Sequence, residues 1–212
     1  MNTRSIFYDL QREYGVLFID PESPFFYYGV DGISRLVHAL PSLSAAMKRR
    51  SGEIVVIVPA PEVSIGVSEI YRMLPGFFSS APEDWSNKEM KHDAIDPSLE
   101  RNRTALAVWY LLRVPQQTYG KPEVEQKKCA HPEFEIVPDL ATFLWVSVAF
   151  ASCRQWQPLM RDGRALRTST TSSDGGRMIV LASGRRLVVS DCLGPEGDIG
   201  MPFLECVSSP SA

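Results

Sequence analysis

Two short apolar runs constrain this chain more than any other feature. Val16-Leu17-Phe18-Ile19 stops at Asp20-Pro21, and Glu53-Ile54-Val55-Val56-Ile57-Val58 is β-branched and bounded by Pro59. Each has the length and composition of a buried strand meeting a loop. Helical spacing follows each run. Behind Asp31, which can cap a helix, Ile33, Leu36, Val37 and Leu40 share one face, and after Pro41 a second segment from Ser42 carries Leu43, Ala46 and Met47. Lys48, Arg49 and Arg50 stand where cations favour a helix C-terminus, ahead of Gly52. After the second run Val63, Val67, Ile70 and Leu74 are again in helical phase. Residues 16–74 therefore read as strand, helix, strand, helix, which implies adjacent parallel strands joined by a right-handed crossover. In such sheets function gathers at the carboxyl ends of the strands.

The flanking segments fill in an α/β domain. Ile6, Phe7, Leu10 and Tyr14 predict an amphipathic helix over 4–14 that ends at Gly15. Residues 75–98 are a polar excursion, after which Asp96-Pro97 is read as the start of a helix carrying Leu99, Leu106, Trp109, Tyr110 and Arg113 as far as Pro115. The Gln-, Lys-, Glu- and Pro-rich segment 115–133 is the candidate for a flexible connection inside the domain. Leu140 to Ala151 suits a helix capped by Asp139 or a buried strand, with helix the working choice. Arg177 to Ser183 and Arg185 to Asp191, preceded by the turn signal Asp174-Gly175-Gly176, form a C-terminal hairpin. The expected fold is a single α/β domain over 1–207. It has a small mixed sheet with a βαβ-like N-terminal half, flanking helices and that hairpin, and 208–212 is a frayed tail.

Composition narrows the classes of function. Of 212 residues 44% are hydrophobic and 22% charged, as in a globular chain, and the net charge of −3 draws the whole molecule to neither nucleic acid nor an anionic membrane. Asp9 and Glu13 interrupt any secretory signal, and the run 140–151 falls well short of the ~20 residues a bilayer needs. The sequence thus reads as soluble and cytoplasmic, with no membrane partner. Cys129, Cys153, Cys192 and Cys206 contain no Cys-x-x-Cys pair and read as mostly buried small apolar side chains. Cys129-Ala130-His131 has no second short-spaced pair to complete a zinc site, and no Gly-x-Ser-x-Gly marks a serine hydrolase.

Three groups of residues carry the candidate chemistry. Asp20 and Glu22 follow the first strand and Glu62 follows the second, so parallel pairing can gather carboxylates for a divalent cation such as Mg²⁺. Over residues 16–62 this layout resembles PIN-type and NYN-type nucleases, and the resemblance implies a metal-dependent nuclease or phosphatase using Asp20, Glu22 and Glu62. The chain departs from those families at Pro59-Ala60-Pro61, where they tend to place Ser, Thr or Asp. The loop Phe25-Phe26-Tyr27-Tyr28 offers aromatic contact material, with core packing of two or three rings the plainer expectation. From Arg154 to Arg186 there are seven arginines and no lysine, and Arg164, Arg167, Arg177, Arg185 and Arg186 are candidates for an anion or an acidic partner. Solvated charge, or pairing with Asp191, Glu196, Asp198 and Glu205, is the simpler reading of them. Glu123, Glu125 and Lys127 have a superficial similarity to a metal-nuclease element and read as a solvated charge run.

The function expected from these residues is that of a non-enzymatic accessory protein acting through protein–protein contacts. The rivals are the metal-dependent enzyme and a nucleic-acid-binding accessory protein that uses the arginine hairpin. No cofactor is predicted outside the Mg²⁺ of the rival reading, and the sequence specifies no oligomeric state.

Overall fold

The computed structural model of the protein describes residues 3–20, 26, 30–49, 56–85, 95–155, 157–191 and 199–208. The N-terminal half runs α1 (Thr3–Tyr14), β1 (Leu17–Phe18), α2 (Val30–His38), α3 (Leu40–Arg49), β2 (Val56–Pro59) and α4 (Val67–Met73). A single turn α5 (Pro97–Glu100) leads to β3 (Trp109–Arg113), then α6 (Glu123–Lys127) and α7 (Leu140–Cys153). The C-terminal part is almost all strand: β4 (Ala165–Thr171), β5 (Arg177–Ser183), β6 (Arg186–Asp191), β7 (Ile199–Gly200) and β8 (Phe203–Val207).

These strands make two four-stranded mixed sheets, β1-β2-β3-β8 and β6-β5-β4-β7, in an α/β fold. The parallel pairing expected of the first two apolar runs is present, with Leu17 opposite Val56 and Phe18 opposite Ile57. Its neighbours β3 and β8 join antiparallel to the strand before them. Alternate residues of the first sheet feed two cores, as the period of two in a strand requires. Ile57, Trp109, Leu111 and Val207 pack with α1, α2 and α3. Val56, Val58, Tyr110, Leu112 and Leu204 point the other way, toward α7.

Helix α7 lies between the sheets and touches β2 and β4. It is buried on nearly every side from Leu140 to Ala151, and this two-sided packing explains why its sequence lacks a polar stripe. Among the described residues no helix is long and apolar enough to cross a membrane. The 140–151 segment is a helix, with Asp139 as N-cap accepting from the Thr142 amide at 2.7 Å. The other two leading amides are plugged as well: Leu140 N–H donates to Thr170 Oγ1 and Ala141 N–H to Asn102 Oδ1. The amides of Leu140, Ala141 and Thr142 at this buried helix terminus are thus taken up within the protein.

The helix expected from Asp96 to Pro115 needs correction. Only Pro97–Glu100 is helical, and Trp109–Arg113 is a central strand buried along its whole length. A continuous apolar run satisfies the helical and the strand period equally, and the open edges of β2 and β8 decide the matter by supplying ladder partners on both sides. Strands β4, β7 and β8 add to the expected elements, while the hairpin β5–β6 stands where its turn signals place it, and Gly184 in its turn takes a positive φ of 58°. Cys153 is exposed rather than buried. Val63, expected on the helix preceding Leu74, is also exposed, because α4 begins only at Val67. Segment 115–133 contains a 3₁₀ turn and α6. Gln126 is fully buried there and donates to the carbonyls of Thr118 and Ile199 at 2.8 and 2.7 Å.

Candidate functional site

Beside the carboxyl end of β2 the chain leaves an open cleft of about 310 Å³. It is lined by Asp31, Gly32, Arg35, Leu36, Ala60, Glu62, Val63 and Val108. Each wall follows from the local fold. The first turn of α2 presents Asp31, and one turn later Arg35 reaches across to donate from Nη2 to the Ala107 carbonyl at 2.8 Å. The Ala60 amide donates to the Val108 carbonyl at 3.0 Å, so the segments leaving β2 and entering β3 diverge from a common base. Above that base the two loops are laced together. Thr104 N–H donates to the Ile65 carbonyl at 2.8 Å, Ile65 N–H to Thr104 Oγ1 at 3.1 Å, and Gly66 bridges Arg103 antiparallel. Arg103 also donates to the Ser64 carbonyl and pairs with Glu69.

This lacing holds two apolar side chains in water: Val63 is 68% exposed and Leu106 79%. Asp31 and Glu62 are exposed, and neither makes a hydrogen bond or ion pair with a described residue. Among the described lining residues Arg35 is the one cation, and its described hydrogen bond goes to a backbone carbonyl. The floor is apolar, made by Leu36, Ala60 and Val108.

The residues singled out in the sequence are distributed as follows. Glu62 lines the cleft, whereas Asp20 lines a separate hollow of about 60 Å³ with Phe7, Tyr8, Gln11 and Phe18. Glu22 lies outside the described residues, and among those described no group of three or more His, Cys, Asp or Glu side chains is placed to hold a metal ion. Phe26 is buried against Trp145 with ring centroids 5.5 Å apart, and Trp145 in turn donates from Nε1 to the Pro59 carbonyl at 2.9 Å. Its neighbours Phe25, Tyr27 and Tyr28 fall outside the described residues.

The arginine group is dispersed. Arg167 and Arg177 both pair with Glu123 at 3.1 Å, and Lys127 reaches the same carboxylate at 2.7 Å. Glu123 is therefore no solvated charge: Lys127 first, then Arg177 and Arg167, hold its carboxyl below the usual range against the opposing effect of burial. Arg164 lies over the Tyr119 ring at 4.5 Å and donates to Gln116 Oε1. Tyr119 rests so closely on Gly200 that a Cβ there would meet its ring at 2.7 Å. Arg185 and Arg186 remain exposed on the hairpin. Cys129 is partly buried and His131 stacks on Phe134 at 5.1 Å.

Sequence reasoning missed Asp31 and Arg35 as lining residues: Asp31 reads in the sequence only as a helix cap, though it lies within the first turn of α2, and Arg35 carries no local signal that sets it apart. The signal that could have found them is the rule that α/β sites lie beyond strand ends, applied to the loop after β1 as well as to that after β2. The chain matches no protein-family model, no curated protein and no solved structure against which it was compared.

Proposed function

We propose that this protein is a binding module that docks a protein partner on the rim of its first sheet, over the cleft between α2 and the loops after β2 and before β3. The observation that carries this reading is one hollow whose lining joins exposed Val63 to Asp31 and Glu62, acids that no described residue pairs, with exposed Leu106 two residues ahead of the lining residue Val108. Exposed apolar side chains are common singly, but here two are fixed on laced loops beside a concave, charged surface. Preorganised apolar contacts lower the ordering cost of association, so rigid rim loops favour recognition. The arginine hairpin is less suited to that role. Two of the five candidate arginines, Arg167 and Arg177, are turned to Glu123, a carboxylate they share with Lys127, which offsets part of their charge and leaves fewer of their donors for phosphate.

The test is a comparison of retained partners from the native host. Wild-type chain is expected to hold a partner that a Val63→Ser/Leu106→Ser double variant with unchanged melting behaviour loses. Equal retention by the two proteins sinks the reading.

A further inference from the structure

We infer that the cleft receives a lysine or arginine side chain from an extended segment of the partner, with the apolar neighbours of that residue resting on Val63 and Leu106. This rests on the docking reading above and adds the chemistry of the occupant.

Charge complementarity is the first argument. Two carboxylates line one hollow with no described cation bound to either, while Arg35 is turned to the Ala107 carbonyl. A guest cation received beside Asp31 and Glu62 gains charge-assisted hydrogen bonds to carboxylates that no described residue occupies. Shape is the second. A long basic side chain has an apolar stem and a charged head, and lies along apolar surface while its head seeks polar company. Leu36, Ala60 and Val108 supply such a floor, and the carboxylates stand with them in the same lining. Volume is the third: about 310 Å³ is room enough for a long basic side chain. Val63 in the lining and exposed Leu106, two residues ahead of Val108, offer further apolar contact that a segment of polypeptide can use and a small cation cannot. The remaining N–H donors of Arg35 suit the carbonyls of such a segment.

The test uses the full chain, isotope-labelled, titrated with a blocked heptapeptide of alternating leucine and lysine and with its leucine–glutamate counterpart. The lysine peptide is expected to shift the amides of Gly32, Ala60, Val63 and Val108, with affinity falling as salt is added. The glutamate peptide is expected to leave them in place. An Asp31→Asn/Glu62→Gln variant, folded as judged by its own amide spectrum, is expected to bind the lysine peptide about tenfold more weakly. Equal response to both peptides, no response to either, or undiminished binding by the variant overturns the inference. So does reproduction of the same shifts by Mg²⁺ alone, which would make the carboxylates metal ligands. The failures are distinguishable: if Val63→Ser/Leu106→Ser loses the native partner while Asp31→Asn/Glu62→Gln keeps it, docking stands and the cationic occupant falls.

Discussion

The acids inside this fold and the acids around its cleft are treated in opposite ways. The Glu135 side chain is completely buried and receives Arg113 in a two-pronged contact, Nε to Oε1 at 2.9 Å and Nη2 to Oε2 at 2.6 Å. The His131 amide adds a third hydrogen bond to Oε2, and the Arg113 guanidinium lies 5.1 Å from the Phe203 ring centroid. Asp96 accepts from the backbone and hydroxyl of both Ser98 and Ser173, stapling the polar excursion to the β4–β5 turn. Glu123 answers three cations and ties α6 to the second sheet. Asp31 and Glu62, by contrast, share a hollow and make no such bond with a described residue. A buried charge without a partner is expensive, so an interior acid needs one, while a solvated carboxylate can remain unpaired and ready for a guest.

That contrast predicts an ordered set of stability effects. Glu135→Ala strands Arg113 in the interior and should cost about 3–5 kcal/mol in denaturant unfolding. A loss below about 1 kcal/mol would mean water reaches the guanidinium. Asp96→Asn comes next. Burial alone would raise this carboxyl, but the hydrogen bonds from Ser173 and Ser98 outweigh it and bring the pKa to about 2 from 3.8. A depressed folded-state value stabilises above the unfolded pKa, so the contribution is complete above about pH 4 and fades as the pH falls toward about 2. At neutral pH the substitution should cost about 2 kcal/mol, converging on wild type near about pH 2; a pH-independent difference would assign the staple to shape instead of charge.

Glu123→Gln removes the shared carboxylate charge but leaves a side chain of similar size in a half-exposed setting, so roughly 1 kcal/mol is expected, reduced by salt. Acid acts in the same direction: the lowered pKa of Glu123 means its share of stability is present at neutral pH and lost only well into the acid range. The smallest effect belongs to the cleft. Asp31→Asn/Glu62→Gln should change unfolding free energy by no more than about 0.5 kcal/mol, as expected for surface groups without partners. A larger loss would erase the distinction between the two regions and return these acids to the fold.

How much of this is legible in the residues depends on the range of the signal. The parallel pair β1–β2 follows from two apolar runs separated by helical periodicity, and it is present in the register Leu17–Val56. For 140–151 the residues leave helix and buried strand both open, with helix only the working choice, and packing between the two sheets makes it α7; the hairpin follows from Gly184 between β-rich segments. Strand β3 passes for helix because Val108-Trp109-Tyr110-Leu111-Leu112 is apolar at every position and carries no period of its own. Strand β4 is hidden by its hydroxyls and arginine, yet Thr168 and Thr170 are buried and satisfied by the Met178 carbonyl and the Leu140 amide. Glu62 can be nominated for the cleft from its place after a strand; Asp31 reads in the sequence only as a helix cap, whereas it stands within the first turn of α2 and makes no hydrogen bond with a described residue.

By itself, then, the sequence determined the α/β class and the parallel first pair of strands. Those features are written in periodicities and caps that act over a few residues of chain. Beyond local helix pairs such as Glu123 with Lys127, which charges meet was decided by tertiary structure. Glu123 finds Arg167 and Arg177 across 44 and 54 residues, and Asp31 and Glu62 come to share a hollow through the packing of α2 beside the end of β2. Ion pairing depends on distance and burial in space, quantities that no local pattern of residues encodes.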